Sequence, residues 1–75
     1  MNWQQHIRVD PAICKGRACI AGTRITVSSV LDNLAEGMPL NAIIASYPPL
    51  TVDDVHACMA YAAALAHEEV VLLAA

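Results

Sequence analysis

The residues best able to do chemistry lie in one short stretch, Cys14–Thr26, which holds two of the three glycines and three of the four basic residues. Gly16-Arg17 and Gly22-Thr23-Arg24 each predict a tight turn, because glycine adopts positive φ angles without steric cost. A turn fixes the direction of the side chain that follows it, so we expect Arg17 and Arg24 to point outward. Two arginines on two short turns are suited to contact negative charge.

The charged residues divide the chain into a basic head and an acidic body. All four basic residues lie within residues 1–24, where the only acidic residue is Asp10. Residues 25–75 hold the other six acidic residues and no lysine or arginine. An ion pair with the protein's own carboxylates is the alternative use of each arginine, and such exposed pairs are nearly neutral in energy. The candidate contacts for a partner or for nucleic acid are Arg24, Arg17, Lys15 and Arg8.

The size and composition of the chain predict a small protein that associates with itself. It has 75 residues, 57% of them hydrophobic, which makes one domain at most. A domain this small buries only about 60–65% of its unfolded surface, too little to hide so many apolar side chains. We therefore expect a homodimer. An odd number of cysteines argues against a secreted disulfide framework, and with no signal peptide or membrane span expected, the predicted location is the cytoplasm.

The pattern of apolar residues changes from strand to helix along this single domain, 1–75. Alternation at Ile7-Arg8-Val9 and the glycine turns after it predict an irregular β ribbon with basic turns over residues 1–26. Residues 27–75 form the predicted helical unit. Thr26 is the expected N-cap of its first helix and Gly37 the C′ residue. Pro39 opens a short second helix, and Thr51 caps a third that meets no proline or glycine.

The third helix is longer than a compact domain of this size needs. Its apolar residues recur at spacings of three and four, and we expect it to form the dimer contact. The candidate contact residues are Met59, Ala62, Ala66, Val70 and Leu73. Three helices joined by short turns predict a mainly α fold: a helix-turn-helix unit of three helices with a short N-terminal β ribbon and an extended C-terminal helix.

Metal and catalytic chemistry have little support in the sequence. Cys14-x4-Cys19 with His6 offers ligand types for zinc, but no second Cys or His pair follows at the spacing of a structural site. Cys58 lies in an apolar helical pattern and is interpreted as a core residue. The carboxylates show no convergent pair, and the glycines lack the spacing of a phosphate loop. We therefore expect no enzyme, no metal and no cofactor.

A set of short segments is shared with a known family. They are Ile7, Asp10-Pro11, Cys14, Gly16-Arg17, Ile20, Gly22-Thr23-Arg24-Ile25, Val27, Leu34-Ala35-Glu36-Gly37-Met38, Ile43-Ile44, Tyr47-Pro48, Leu50-Thr51, Asp54-Val55 and Ala60-Tyr61-Ala62. From about residue 7 to 62 the chain resembles the domain-of-unknown-function family 433. It departs from the family at Lys15 and Ala18, where glycine and proline are usual, and at Leu40-Asn41, which replaces a commoner acidic start of the second helix.

The resemblance implies a fold and a function. Members are small prokaryotic proteins described as antitoxins, often encoded beside a PIN-like ribonuclease toxin, with a homeodomain-like helix-turn-helix fold. This implies a type II antitoxin that neutralises a PIN-like toxin by direct contact, with operator DNA as a further partner left open. Arg24, helped by Arg17, is then expected to enter the carboxylate pocket of the toxin and replace the charge of its metal ions.

Two other functions stay open: a stand-alone DNA-binding regulator and a non-catalytic dimerisation or adaptor module. The third helix begins Thr51-Val52-Asp53-Asp54 and contains no lysine or arginine. Contacts to phosphate need cations that displace counterions, and this helix supplies none. Any DNA contact is therefore expected through the basic head.

Overall fold

The computed structural model describes residues 2–68, which form two strands and three α-helices. A 3₁₀ helix at Trp3–Gln5 leads into strands β1 (Ile7–Asp10) and β2 (Ile13–Ile20), followed by helices α1 (Val27–Ala35), α2 (Leu40–Ser46) and α3 (Val52–Glu68). The strands pair as a two-stranded antiparallel sheet. None of the described helices has the length and apolar character that a membrane crossing requires.

The predicted mainly α, helix-turn-helix fold is wrong. Three helices accompany a two-stranded antiparallel sheet at the N-terminus, and the helical content is 53%. The sheet belongs to the core, because Ile20 is only 2% exposed and lies in the same buried cluster as Val30 and Ile43. Helical periodicity showed where the helices lie, but it could not show that the sheet supplies one wall of their core.

Two side-chain contacts attach the N-terminal segment to α3. The rings of Trp3 and Tyr61 meet edge to face, with centroids 5.7 Å apart and an interplanar angle of 78°. His6 Nδ1 lies 2.9 Å from Asp54 Oδ1. These contacts place the strands beside the helices instead of leaving them as a separate ribbon.

The ends of the helices follow from local hydrogen bonding, and the predicted caps are confirmed. The Thr26 hydroxyl accepts a hydrogen bond from Ser29 N at 3.1 Å. After α1, Gly37 N donates to Leu34 O and Met38 N to Asn33 O, which is the Schellman arrangement with Gly37 at φ +88°.

The start of α3 is a reciprocal cap. Asp54 N donates to Thr51 Oγ1 at 3.2 Å, and Thr51 N donates to Asp54 Oδ2 at 3.0 Å. The predicted N-cap at Thr51 is therefore confirmed, and Asp54 has a structural task in addition to its charge.

Candidate site for an anionic partner

Strand β2 carries a large irregularity that the sequence did not predict. Val9 pairs with Ala18, yet the next residue, Asp10, pairs with Ile13. The four intervening residues, 14–17, therefore project from the sheet; we call them the bulge. Their backbone is left-handed at Cys14 (φ 54°), Lys15 (φ 56°) and Gly16 (φ 79°). Gly16 was predicted to form a free-standing turn, and instead it lies within a strand, at this bulge.

Lys15 is held in a conformation that favours glycine. A left-handed residue with a side chain costs about 1–2 kcal/mol, because its Cβ crowds the following carbonyl. Lys15 therefore carries backbone strain, and its side chain adds a cation to this part of the surface.

The second turn fixes the position of Arg24. Gly22 has φ +79°, as predicted for a tight turn. The Thr23 hydroxyl donates to Ile20 O at 2.9 Å and accepts from Ile25 N at 3.0 Å. Ile20 N in turn donates to Ile25 O at 2.9 Å, so the backbone on both sides of Arg24 is tied to the end of β2.

The bulge and this turn face each other across a shallow cavity of about 350 Å³, which we call the basic hollow. It is lined by Cys14, Lys15, Arg17, Arg24 and Thr26. The Cys14 thiol donates to Arg24 O at 3.4 Å and so joins the bulge to the turn. The side chains of all three cationic residues are exposed. The structure thus brings together three of the four basic residues singled out from the sequence.

Arg8 is the basic residue left out. It is exposed on β1, where it pairs with Cys19, and it does not line the basic hollow. Cys14 and Thr26 were not predicted as site residues. Position 26 was recognised only as a helix cap, and nothing in the sequence shows that the cap lies beside the bulge.

The residues that line the basic hollow fall within a match to a known protein family. The model of the family described as "Protein of unknown function (DUF433)" matches residues 7–62. The chain belongs to this family. A crystal structure at 2.00 Å of a DUF433 member protein from Anabaena variabilis ATCC 29413 is similar, with 32% sequence identity and a TM-score of 0.78. The match covers 87% of this chain and 64% of that one, so this chain spans less than two thirds of its neighbour. No curated protein matches.

The predicted ligand types Cys14, Cys19 and His6 of this DUF433 chain are not brought together as a cluster in the part of the chain that the structure describes. Within the described residues, no three His, Cys, Asp or Glu side chains converge as metal ligands. Cys19 is fully buried, and burial together with the neighbouring Cys14 thiol raises its pKa. Burial, with a smaller effect of the Asp54 charge, raises the pKa of Cys58 to about 11. Both of these cysteines are therefore poor nucleophiles near neutral pH.

Three of the five candidate dimer contacts of the DUF433 chain, Met59, Ala62 and Ala66, lie on α3. Met59 is 41% exposed and Ala66 is exposed, whereas Ala62 is half-buried. Val70 and Leu73 lie outside the described residues. A dimer is not shown, and the role of these residues stays a prediction.

Proposed function

We propose that this DUF433 protein is a non-catalytic binding protein that holds an acidic partner in its basic hollow. The observation that carries the proposal is the convergence of Lys15, Arg17 and Arg24 on one concave surface of about 350 Å³. Guanidinium groups match carboxylates geometrically, because each can donate two parallel hydrogen bonds. A lysine beside two arginines adds a mobile third cation to the same surface.

A protein partner fits this surface better than duplex DNA. The cations form one compact group, whereas a DNA-binding protein spreads its contacts along successive phosphates. The first turn of α3 carries exposed Asp53 and partly buried Asp54, and this helix has no lysine or arginine. Its start would therefore repel a phosphate backbone.

The family resemblance supplies the class of partner. We propose that the partner is a PIN-like ribonuclease toxin and that this chain is its antitoxin. Such a toxin holds its metal ions in a pocket of carboxylates. Arg24, and next to it Arg17, would pair with those carboxylates in place of the metal ions, and the nuclease would lose its catalytic charge.

The experiment compares charge reversal inside and outside the basic hollow. The chain is co-expressed with the product of the gene next to its own, and RNA cleavage by that product is measured with and without the chain. Arg24→Glu is expected to abolish binding and restore cleavage. Arg8→Glu is the matched control, because it reverses another exposed arginine that lies outside the hollow, and it is expected to leave inhibition intact.

Three results would count against this function. Inhibition by Arg24→Glu equal to that by the unchanged protein would remove the hollow from the interface. A neighbouring gene product without nuclease activity, or specific operator binding with no effect on any nuclease, would exclude the antitoxin role.

A further inference from the structure

Two apolar hollows lie at either side of the basic hollow. The first, which we call the α3 hollow, has a volume of about 420 Å³ and lies between β2, α1 and α3. Arg17, Val27, Leu31, Tyr61 and Leu65 are among the residues that line it. Leu65 is 47% exposed, so part of its apolar side chain is open to solvent at this hollow.

The second, which we call the proline hollow, has a volume of about 540 Å³ and lies where the Gly22 turn meets the end of α2. Arg24, Ile25, Tyr47, Pro48 and Pro49 are among the residues that line it. Both prolines are exposed, and Asn33 Nδ2 donates to the Tyr47 hydroxyl at 3.2 Å. This hollow is therefore apolar and has one firmly placed aromatic side chain.

The arginines join the three hollows into one surface. Arg17 lines both the basic hollow and the α3 hollow, and Arg24 lines both the basic hollow and the proline hollow. An arginine side chain is well suited to such a boundary, since its aliphatic stem covers apolar surface while its guanidinium stays in a polar environment. The order along the surface is thus apolar, cationic, apolar.

We infer that this surface recognises a segment of the partner protein in which acidic side chains lie between apolar side chains at both ends. The inference rests on the proposed function and specifies the chemistry of the partner. The charge of the central hollow selects the carboxylates. The flanking hollows select bulky apolar groups, which contribute affinity by leaving water. A purely acidic ligand, including the phosphate backbone of a nucleic acid, would fill only the basic hollow, which is the middle one of the three.

The test uses three fluorescent synthetic peptides of about twelve residues, measured by anisotropy with the full chain. At about 3.3 Å per residue, an extended peptide of that length is about 40 Å long, close to the 41 Å long axis of the molecule. The first peptide has a run of aspartates between paired leucines. The second has serines in place of the leucines, and the third has asparagines in place of the aspartates. We expect the first to bind at least about tenfold more tightly than either other peptide.

Two protein variants assign the ends of the peptide. Leu65→Ser, at the rim of the α3 hollow, and Pro48→Ala, in the proline hollow, are each expected to weaken the first peptide severalfold and leave the second unchanged. Val9→Ser is the matched control, because Val9 is 59% exposed and lies outside all three hollows. Circular dichroism confirms that each variant is folded.

Several outcomes would overturn the inference without touching the proposed function. Equal binding of the leucine and serine peptides would leave only the basic hollow as a site. Tighter binding of a peptide that copies residues 65–73 of this chain would make the surface a self-association site. No binding of any peptide, with nuclease inhibition still dependent on Arg24, would exclude recognition of a linear segment.

Discussion

Replacing Asp54 by alanine should destabilise the protein far more than replacing its neighbour Asp53. Asp54 Oδ1 lies 2.9 Å from His6 Nδ1, and Asp54 Oδ2 accepts from Thr51 N at 3.0 Å. The side chain is only 13% exposed. Asp53 is one residue away on the same helical turn, but it is exposed and has no side-chain hydrogen bond within residues 2–68.

The magnitude follows from the two hydrogen bonds that are lost. Each is worth about 1 kcal/mol net, so Asp54→Ala should lower the free energy of unfolding by about 2 kcal/mol. For a domain of this size, that corresponds to a fall in Tm of about 8–16 °C. Asp53→Ala loses only a favourable interaction with the helix dipole and should stay within about 0.5 kcal/mol of the unchanged protein.

The pH dependence gives a second measure of the same contact. Burial by itself raises the pKa of Asp54, but the hydrogen bonds from His6 and Thr51 outweigh it and hold the pKa below its ordinary value of 3.8. A lowered folded-state pKa means that the carboxylate contributes stability above pH 3.8, and that this contribution is lost as the pH falls through the folded-state pKa. The stability gap between the unchanged protein and Asp54→Asn should therefore close below about pH 4.

Urea unfolding followed by circular dichroism at pH 7 and at pH 3 measures both effects. Equal losses from Asp53→Ala and Asp54→Ala would contradict the reasoning, and so would a gap that is unchanged at pH 3. The result also determines which variant can test whether the acidic start of α3 affects DNA binding. Asp53→Ala removes one negative charge and leaves the cap intact. Replacing both Asp53 and Asp54 would change the charge and the folding stability together, so a loss of DNA binding could not be assigned to either.

Three further predictions address the glycine turn, the thiols and the core. Gly22→Ala should cost about 1–2 kcal/mol in a urea titration, because φ is +79° and an added Cβ meets no atom within 4 Å, so backbone strain is the only penalty; a loss above about 4 kcal/mol would contradict this account. Cys14, which is half-buried, should react with a thiol reagent at pH 8 well before buried Cys58, whose pKa burial raises to about 11; mass spectrometry of the labelled peptides gives the order. Ile43→Ala should cost about 2–5 kcal/mol, because Ile43 is fully buried, and a Tm within a few degrees of the unchanged protein would contradict it.

Local features of the fold could be predicted because their causes lie within a few residues. Thr26 and Thr51 cap helices with their own hydroxyls, and Gly37 ends α1 through its left-handed backbone. The pattern Ile7-Arg8-Val9 correctly placed β1, although the burial does not alternate, because Val9 is 59% exposed. Each of these signals needs no knowledge of distant residues.

The fold class could not be predicted in the same way. Helical spacing in residues 27–68 indicated a helical core, yet Ile20 from β2 lies in that core with Val30 and Ile43. The contacts of Trp3 with Tyr61 and of His6 with Asp54 join residues about fifty positions apart. Pairings at that separation depend on the whole packing, for which hydrophobic periodicity carries no information.

The sequence marked three of the residues that line the basic hollow, but it did not show how they are arranged. Arg17 and Arg24 were chosen because each follows a glycine turn, and both line the basic hollow. Arg8 has the same charge and exposure but lies outside it. Arg8 and Arg17 are separated by the shift in strand pairing between Val9 and Asp10. The pairing register of a strand depends on its partner residues, which the sequence does not mark.

The bulge gives a direct way to separate this site from the fold. Asp10 and Ile13 pair across the two-residue turn Pro11-Ala12, and the next pair is Val9 with Ala18. Deleting residues 14–17 would join Ile13 to Ala18 and make the two pairs consecutive in one regular hairpin. The deletion also removes two left-handed residues with side chains, each costing about 1–2 kcal/mol.

We therefore expect the deletion variant to fold, with a free energy of unfolding equal to or above that of the unchanged protein. It should bind the acidic peptides and the nuclease far more weakly, because Lys15 and Arg17 are gone while Arg8 remains. Thermal unfolding and peptide anisotropy on the same sample separate the two effects. A variant that is unfolded would show that the bulge is required by the fold, and one that binds as tightly as before would show that the basic hollow is not the site. Retained folding with lost binding would mean that the strain at Cys14 and Lys15 is kept for recognition, since the hairpin itself does not need it.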